Sequence, residues 1–179
     1  MYKSLDKMRH NAIALANYFV DKSISDEIKI YQFGLMKRVY ITHGFCLASL
    51  DRGALDPLYD VVEAWKNGPV IPSVYHSFKH HTDNEIRTKS FFVTEIYSNN
   101  KVEIETPVLK DEDIKDVADF VWGRYKNHSD YELVKLLHRK GTPWYLCYKK
   151  GENRPIPDLY TKTFYKKLIR LWDENSQKN

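Results

Sequence analysis

His76 and His80 stand four residues apart, with His81 beside the second. On a helix that spacing puts two imidazoles on one face, the arrangement with which paired histidines chelate zinc. No third ligand can be named from spacing, and a solvated polar face ahead of a loop at Thr82 accounts for the same residues. We therefore expect no metal and no cofactor. His43 and His138 sit beside apolar residues and read as packed core or interface histidines. No Ser or Cys can be tied to either as a nucleophile. Cys46 and Cys147 also lie in apolar surroundings, without His or Cys at ligand spacing, and read as buried, inert thiols. The sequence contains no Gly-rich phosphate loop of either standard type, no Gly-x-Ser-x-Gly elbow and no His-Glu-x-x-His stretch. No catalytic residue is assigned, and we expect no enzyme.

Two other stretches are more informative. Glu63 to Tyr75 combines Trp65 with the turn residues Asn67-Gly68-Pro69 and the start of a helix at Pro72. Glu132 to Trp144 combines a Leu-rich helix, His138 and a Pro143-Trp144 corner. Rigid turns that hold aromatics make either a core corner or a preorganised binding edge, because a rigid edge loses little entropy on association.

The elements that must position these stretches follow from apolar periodicity. A first helix is predicted over about Asp6 to Asp21, capped by Ser4 or Asp6, with Met8, Ala12, Leu15, Ala16, Phe19 and Val20 inward. A second is predicted to start after Ser25 or Asp26 and to end before Gly53. Its apolar residues cover so wide an arc that it must be central and largely buried. Gly34 and Gly44 inside it point to close approach of other elements. Asn67-Gly68-Pro69 must turn, and Pro72 fits the first position of a third helix running to about His80. Val74, Tyr75 and Phe78 form its inward face. Thr82 to Ser90 reads as a loop. Phe91 to Thr106, with Ser98-Asn99-Asn100 at its middle, reads as a β-hairpin. Further helices are expected from Asp111 or Asp113, from Ser129 with Glu132 completing a capping box, and from Asp158 to Asp173. The last turns Phe164, Leu168, Leu171 and Trp172 inward. The expectation is a mainly α chain of about six to seven helices with one small antiparallel hairpin. It forms a single domain over 1–179, with its core at about 11–172 and a frayed tail at 174–179.

The formal net charge is +4 over 179 residues. Lys37-Arg38, Lys79, Arg139-Lys140, Lys149-Lys150 and Lys166-Lys167 are scattered among acids and read as solvated helix faces. They form no basic stripe, which argues against a nucleic-acid partner. No apolar run is long enough to span a bilayer, and Met1 to His10 is polar and charged, unlike a signal peptide. A reducing cytoplasm with two unpaired thiols is the expected setting.

The stretch from Glu63 to Lys79, Glu-Ala-Trp-Lys-Asn-Gly-Pro-Val-Ile-Pro-Ser-Val-Tyr-His-Ser-Phe-Lys, resembles the signature of the Panacea, or SocA-like antitoxin, domain. Ala64, Trp65, Gly68, Pro69, Val70, Pro72, Val74 and Tyr75 match that pattern. Ala16-Asn17-Tyr18-Phe19 is similar to the family's opening helix. Lys37, Tyr40, Gly44 and Phe45 are similar to its second. Glu132-Leu133, His138, Pro143-Trp144 and Ile156 are similar to its closing block. The resemblance runs from about Asn11 to Leu171. His43 stands where many relatives carry Gln, and the hairpin is longer than in the minimal domain.

The resemblance implies a mainly helical fold that neutralises a cognate protein toxin by direct contact, the toxin being encoded by an adjacent gene and the pair often carried by phages or prophages. It assigns motif or partner-binding roles to Trp65, Lys66, Asn67, Gly68, Pro69, Val70, Pro72, Tyr75, His138 and Trp144. A proteolytic adaptor or regulator that engages protease machinery is the competing binding-module reading. A His-dependent metal hydrolase and a DNA-binding repressor are the remaining two. Scattered charge and the lack of a clear helix-turn-helix weigh against the repressor.

Overall fold

The structure, a computed structural model, describes residues 11–96 and 101–177. The expected cap at Ser4 or Asp6, Met8 of the first apolar stripe and the hairpin turn Ser98-Asn99-Asn100 lie outside the described residues, as do the final two residues of the tail.

Apolar side chains at three- and four-residue spacing decide where the chain is helical. Helix α1 spans Asn11–Ser25 and buries Ala12, Leu15, Ala16, Phe19 and Val20. It runs one turn past the expected end, because Ser23 satisfies its hydroxyl on the Val20 carbonyl at 2.8 Å inside the helix. Asn17, also buried, donates to the carbonyls of Ser90 and Pro107 and accepts from the Ser90 N–H. One side chain thereby ties down both ends of a β-hairpin.

Helix α2, Gln32–Ser49, starts later than expected and is buried on nearly every side from Gly34 to Leu47. Most of the core packs against it. A Cβ at Gly44 would come 2.2 Å from the Tyr165 ring, so only glycine allows the last helix to sit this close.

Strands β1 (Glu63–Trp65) and β2 (Gly68–Val70) pair antiparallel across Lys66-Asn67, and β1 also pairs with β5 (Arg154–Pro155). This three-stranded sheet is a second β element beside the expected hairpin. Its strands are too short for period-two patterning to reveal them, and the Gly-Pro content of β2 reads as turn. The expected hairpin is present as β3 (Phe92–Ile96) and β4 (Lys101–Glu105).

Helix α3, Pro72–Phe78, has its proline in the first turn and passes into a 3-10 turn over Lys79–His81. Helix α4, Glu112–Tyr125, is capped by Asp111, whose carboxylate accepts from the Ile114 N–H. Helix α5, Asp130–Leu137, carries the Ser129/Glu132 capping box. A short α6, Pro143–Cys147, stands where a plain turn was expected. Helix α7, Asp158–Ser176, extends past Asp173 into the stretch expected to fray. The fold is mainly α, with seven α-helices among the described residues. No helix among them is long and apolar enough to cross a membrane.

One inward assignment and one outward assignment fail. Leu171 is 42% exposed, because α7 faces α2 through Thr161, Tyr165 and Leu168. Lys37 and Arg38, read as solvated, are 0% and 2% exposed. The other basic pairs are exposed as expected.

Candidate functional site

Thr142 sets the local geometry at one side of the site. Gly141 adopts φ 87° and turns the chain out of α5. Thr142 then donates its hydroxyl to the Leu137 carbonyl at 2.7 Å and accepts from the Tyr145 N–H, so it closes one helix and opens the next. Pro143 occupies the first turn of α6, where its missing N–H costs nothing. Trp144 is thereby aimed back at the β1–β2 hairpin.

Its indole lies between two rings. His138 stacks on one face, 3.6 Å between centroids and 1° from parallel, and Tyr148 on the other at 4.6 Å. The indole N–H donates to the Trp65 carbonyl at 2.7 Å. Trp65 in turn donates its own N–H to Glu63 at 2.6 Å and packs on Tyr75 at 5.1 Å between ring centroids. The two tryptophans are joined through this backbone hydrogen bond.

The other clamp comes from below. Lys37, on α2, reaches through the core and donates to the Pro69 carbonyl at 2.7 Å. Gly68 adopts φ 105°, and a Cβ there would meet the Lys37 Cε and Nζ at 3.1 Å and the His138 Nε2 at 3.4 Å. Glycine is needed here for both its dihedral and its lack of a side chain. Burial lowers the Lys37 amine to about 7, with the carboxylate of Asp130 opposing the shift. Burial, and then the neighbouring Lys37, also lower the His138 imidazole. His138 Nε2 is buried without a hydrogen-bond partner.

Arg38, the next residue, donates to the carbonyls of Tyr125 at 2.9 Å and His128 at 3.0 Å. It thus satisfies the open C-terminal end of α4. At the far end of the corner, Ser73 donates to Asp60 at 2.7 Å, and Gln32 donates to the Tyr75 carbonyl at 3.0 Å.

The ten residues singled out in the sequence fall into two groups. Gly68, Pro69, Val70 and Trp144 are buried and act as the frame. Lys66 and Asn67 are exposed at the hairpin tip, and Trp65, Pro72, Tyr75 and His138 are half-buried around it. Lys37 was missed as a member of this site. The signal for it was the width of the apolar arc on α2, which leaves no solvent-facing side for a lysine at that position.

The remaining candidates lie elsewhere. His76 and His80 are both exposed, and the helix between them ends at Phe78, so they no longer share an α-helical face. Among the described residues no group of three or more His, Cys, Asp or Glu could hold a metal ion. His43 bonds through Nε2 to Asp158 at 2.9 Å, while its buried Nδ1 has no partner. Cys46 is buried and burial pushes its thiol up to about 12. Cys147 is half-buried, not fully buried as expected.

Comparison with known proteins bears on this corner directly. The sequence model of the family described as "Antitoxin SocA-like, Panacea domain" matches residues 35–145, which take in both clamps from Lys37 to Trp144. The chain is also similar to the protein described as "Antitoxin SocA" from Caulobacter vibrioides (strain NA1000 / CB15N). The two are 30% identical over 139 residues, which is 78% of this chain and 71% of that protein. No solved structure matches.

Proposed function

The chain belongs to the SocA-like antitoxin family that carries the Panacea domain, and from that premise we propose that it neutralises a cognate protein toxin by direct contact. One observation carries this reading. The exposed tip Lys66-Asn67, ringed by Trp65 and Tyr75, is held from beneath by Lys37 and from the side by Trp144. A binding edge fixed in this way pays little ordering entropy, so a few exposed side chains can supply affinity. His43 faces the Asp158 carboxylate, and His138 stacks on Trp144. Two free thiols suit a reducing cytoplasm.

The experiment is co-expression with the adjacent open reading frame. We expect that frame to arrest growth alone, this chain to restore growth, and the two products to purify together. Restored growth that requires a protease, with the toxin degraded rather than held, identifies a proteolytic adaptor instead. An adjacent product that is harmless refutes the pairing.

A further inference from the structure

Between α4, α5 and α7 lies a cleft of about 520 Å³ outside the corner. Phe164, Leu168 and Trp172, each four residues from the next, form one wall as a half-buried stripe of α7, and Leu136 faces them from α5. Three cations rim this apolar floor. Arg124 holds its guanidinium 4.0 Å from the centre of the Trp172 ring, a cation–π contact, and also hydrogen-bonds the Tyr125 side chain. Arg139 and Lys140 are exposed on the connection that follows α5. Among the described residues no carboxylate forms an ion pair with any of the three, and Glu174, on the same helix as Trp172, pairs with Arg170 instead.

We infer that this cleft takes an acidic segment of the toxin, seating an apolar side chain on the Phe164–Leu168–Trp172 stripe and carboxylates on Arg124, Arg139 and Lys140. The inference rests on the reading of the chain as a toxin-binding protein. Charge complementarity selects the occupant, because uncompensated cations around an apolar floor favour an anionic partner and repel a basic one. A second copy of this chain carries net charge +4. The chain's own first ten residues hold Lys3, Lys7 and Arg9 against a single acid, Asp6. Neither suits the rim. The cleft neighbours the corner along the chain: Leu136, Leu137, Arg139, Lys140 and Thr142 line it, while His138 stacks on Trp144, which bonds the Trp65 carbonyl of β1.

The test measures binding of the purified product of the adjacent reading frame to the full chain and to an Arg139→Glu, Lys140→Glu double variant, at low and high salt. Both positions are exposed, so the melting temperature should hold. If it falls, the Arg139→Gln, Lys140→Gln variant replaces it. We expect at least about tenfold weaker binding and a flatter salt dependence for the double variant. Binding within about twofold of wild type overturns the inference while leaving toxin neutralisation intact. A toxin that neither binds nor is neutralised by the wild-type chain overturns the functional reading and this inference with it. Wild-type self-association that the double variant abolishes makes a second copy the occupant, and also overturns it.

Discussion

The two ends of helix α2 are buried equally and built from opposite chemistry. Near its C-terminal end, Phe45 packs edge-on against Phe120 and Tyr165 and lies 5.6 Å from Trp172. Near its N-terminal end, Lys37 and Arg38 carry amine and guanidinium into the core, each bonded to backbone carbonyls. Ring packing buries no charge that must be offset. Burying an amine costs several kcal/mol unless bonds and neighbours offset it. A fold that needed stability alone would have used a ring or a methionine at Lys37. The lysine is spent on holding the Pro69 carbonyl, and so on the shape of the corner.

The largest effects should come from removing a ring, Phe45 at the C-terminal end of α2 or Trp144 in the corner that Lys37 holds. Phe45→Ala and Trp144→Ala should each lower stability by about 3–5 kcal/mol, read by chemical denaturation. The comparison predicts that they differ in binding. Phe45→Ala should lose toxin affinity only as far as the folded fraction falls. Trp144→Ala should lose more at a temperature where both are mostly folded. Equal losses would make the two ends functionally equivalent.

Lys37→Met isolates the buried amine. Unfolded, Lys37 titrates at its ordinary 10.5, and folded it titrates at about 7. Between those values the unfolded chain holds the extra proton, so stability should rise with pH by up to about 1.4 kcal/mol per unit. His138, lowered from 6.5, adds a loss of stability as pH falls below that value. In the methionine variant the rise above pH 7 should flatten. The variant should be as stable as wild type or more so at pH 6, and less stable near pH 10, where neutral Lys37 still donates to Pro69. Parallel denaturation curves across that range would show that the amine is not buried as described. Gly68→Ala tests the same contact from the other side. A φ of 105° and the Lys37 side chain at 3.1 Å should make it cost about 1–3 kcal/mol in thermal melting.

The close approaches at both ends of α2 were legible in the sequence, at Gly34 beside Asp130 and at Gly44 beside Tyr165, while the buried cations of its N-terminal end were not. Gly44 marked a close approach, and Phe45 and Leu168 follow helical spacing, because apolar burial imposes its period on the chain. The capping box at Ser129 and the proline at the start of α3 are local chemistry and were equally readable. Lys37 escaped because a buried lysine has the same letter as a solvated one, and its partner is a carbonyl 32 positions away. The β1–β2–β5 sheet escaped because it joins strands of two or three residues, and β1 meets β5 across about half the chain. The tryptophans of the corner were picked out by the rigid turns that hold them and by the family pattern, while the hydrogen bond that links them through the Trp65 carbonyl carries no sequence mark.

The smallest expected effect on stability carries the most weight. Lys66 is exposed at the tip of the hairpin, so Lys66→Glu should change stability by no more than about 0.5 kcal/mol. Affinity of the purified toxin for Lys66→Glu and for wild-type protein, with melting curves taken on the same samples, tests the corner as a binding edge most directly. We predict unchanged melting and at least about tenfold weaker binding. Unchanged melting together with wild-type affinity would mean that the corner only packs the fold and that the toxin sits elsewhere.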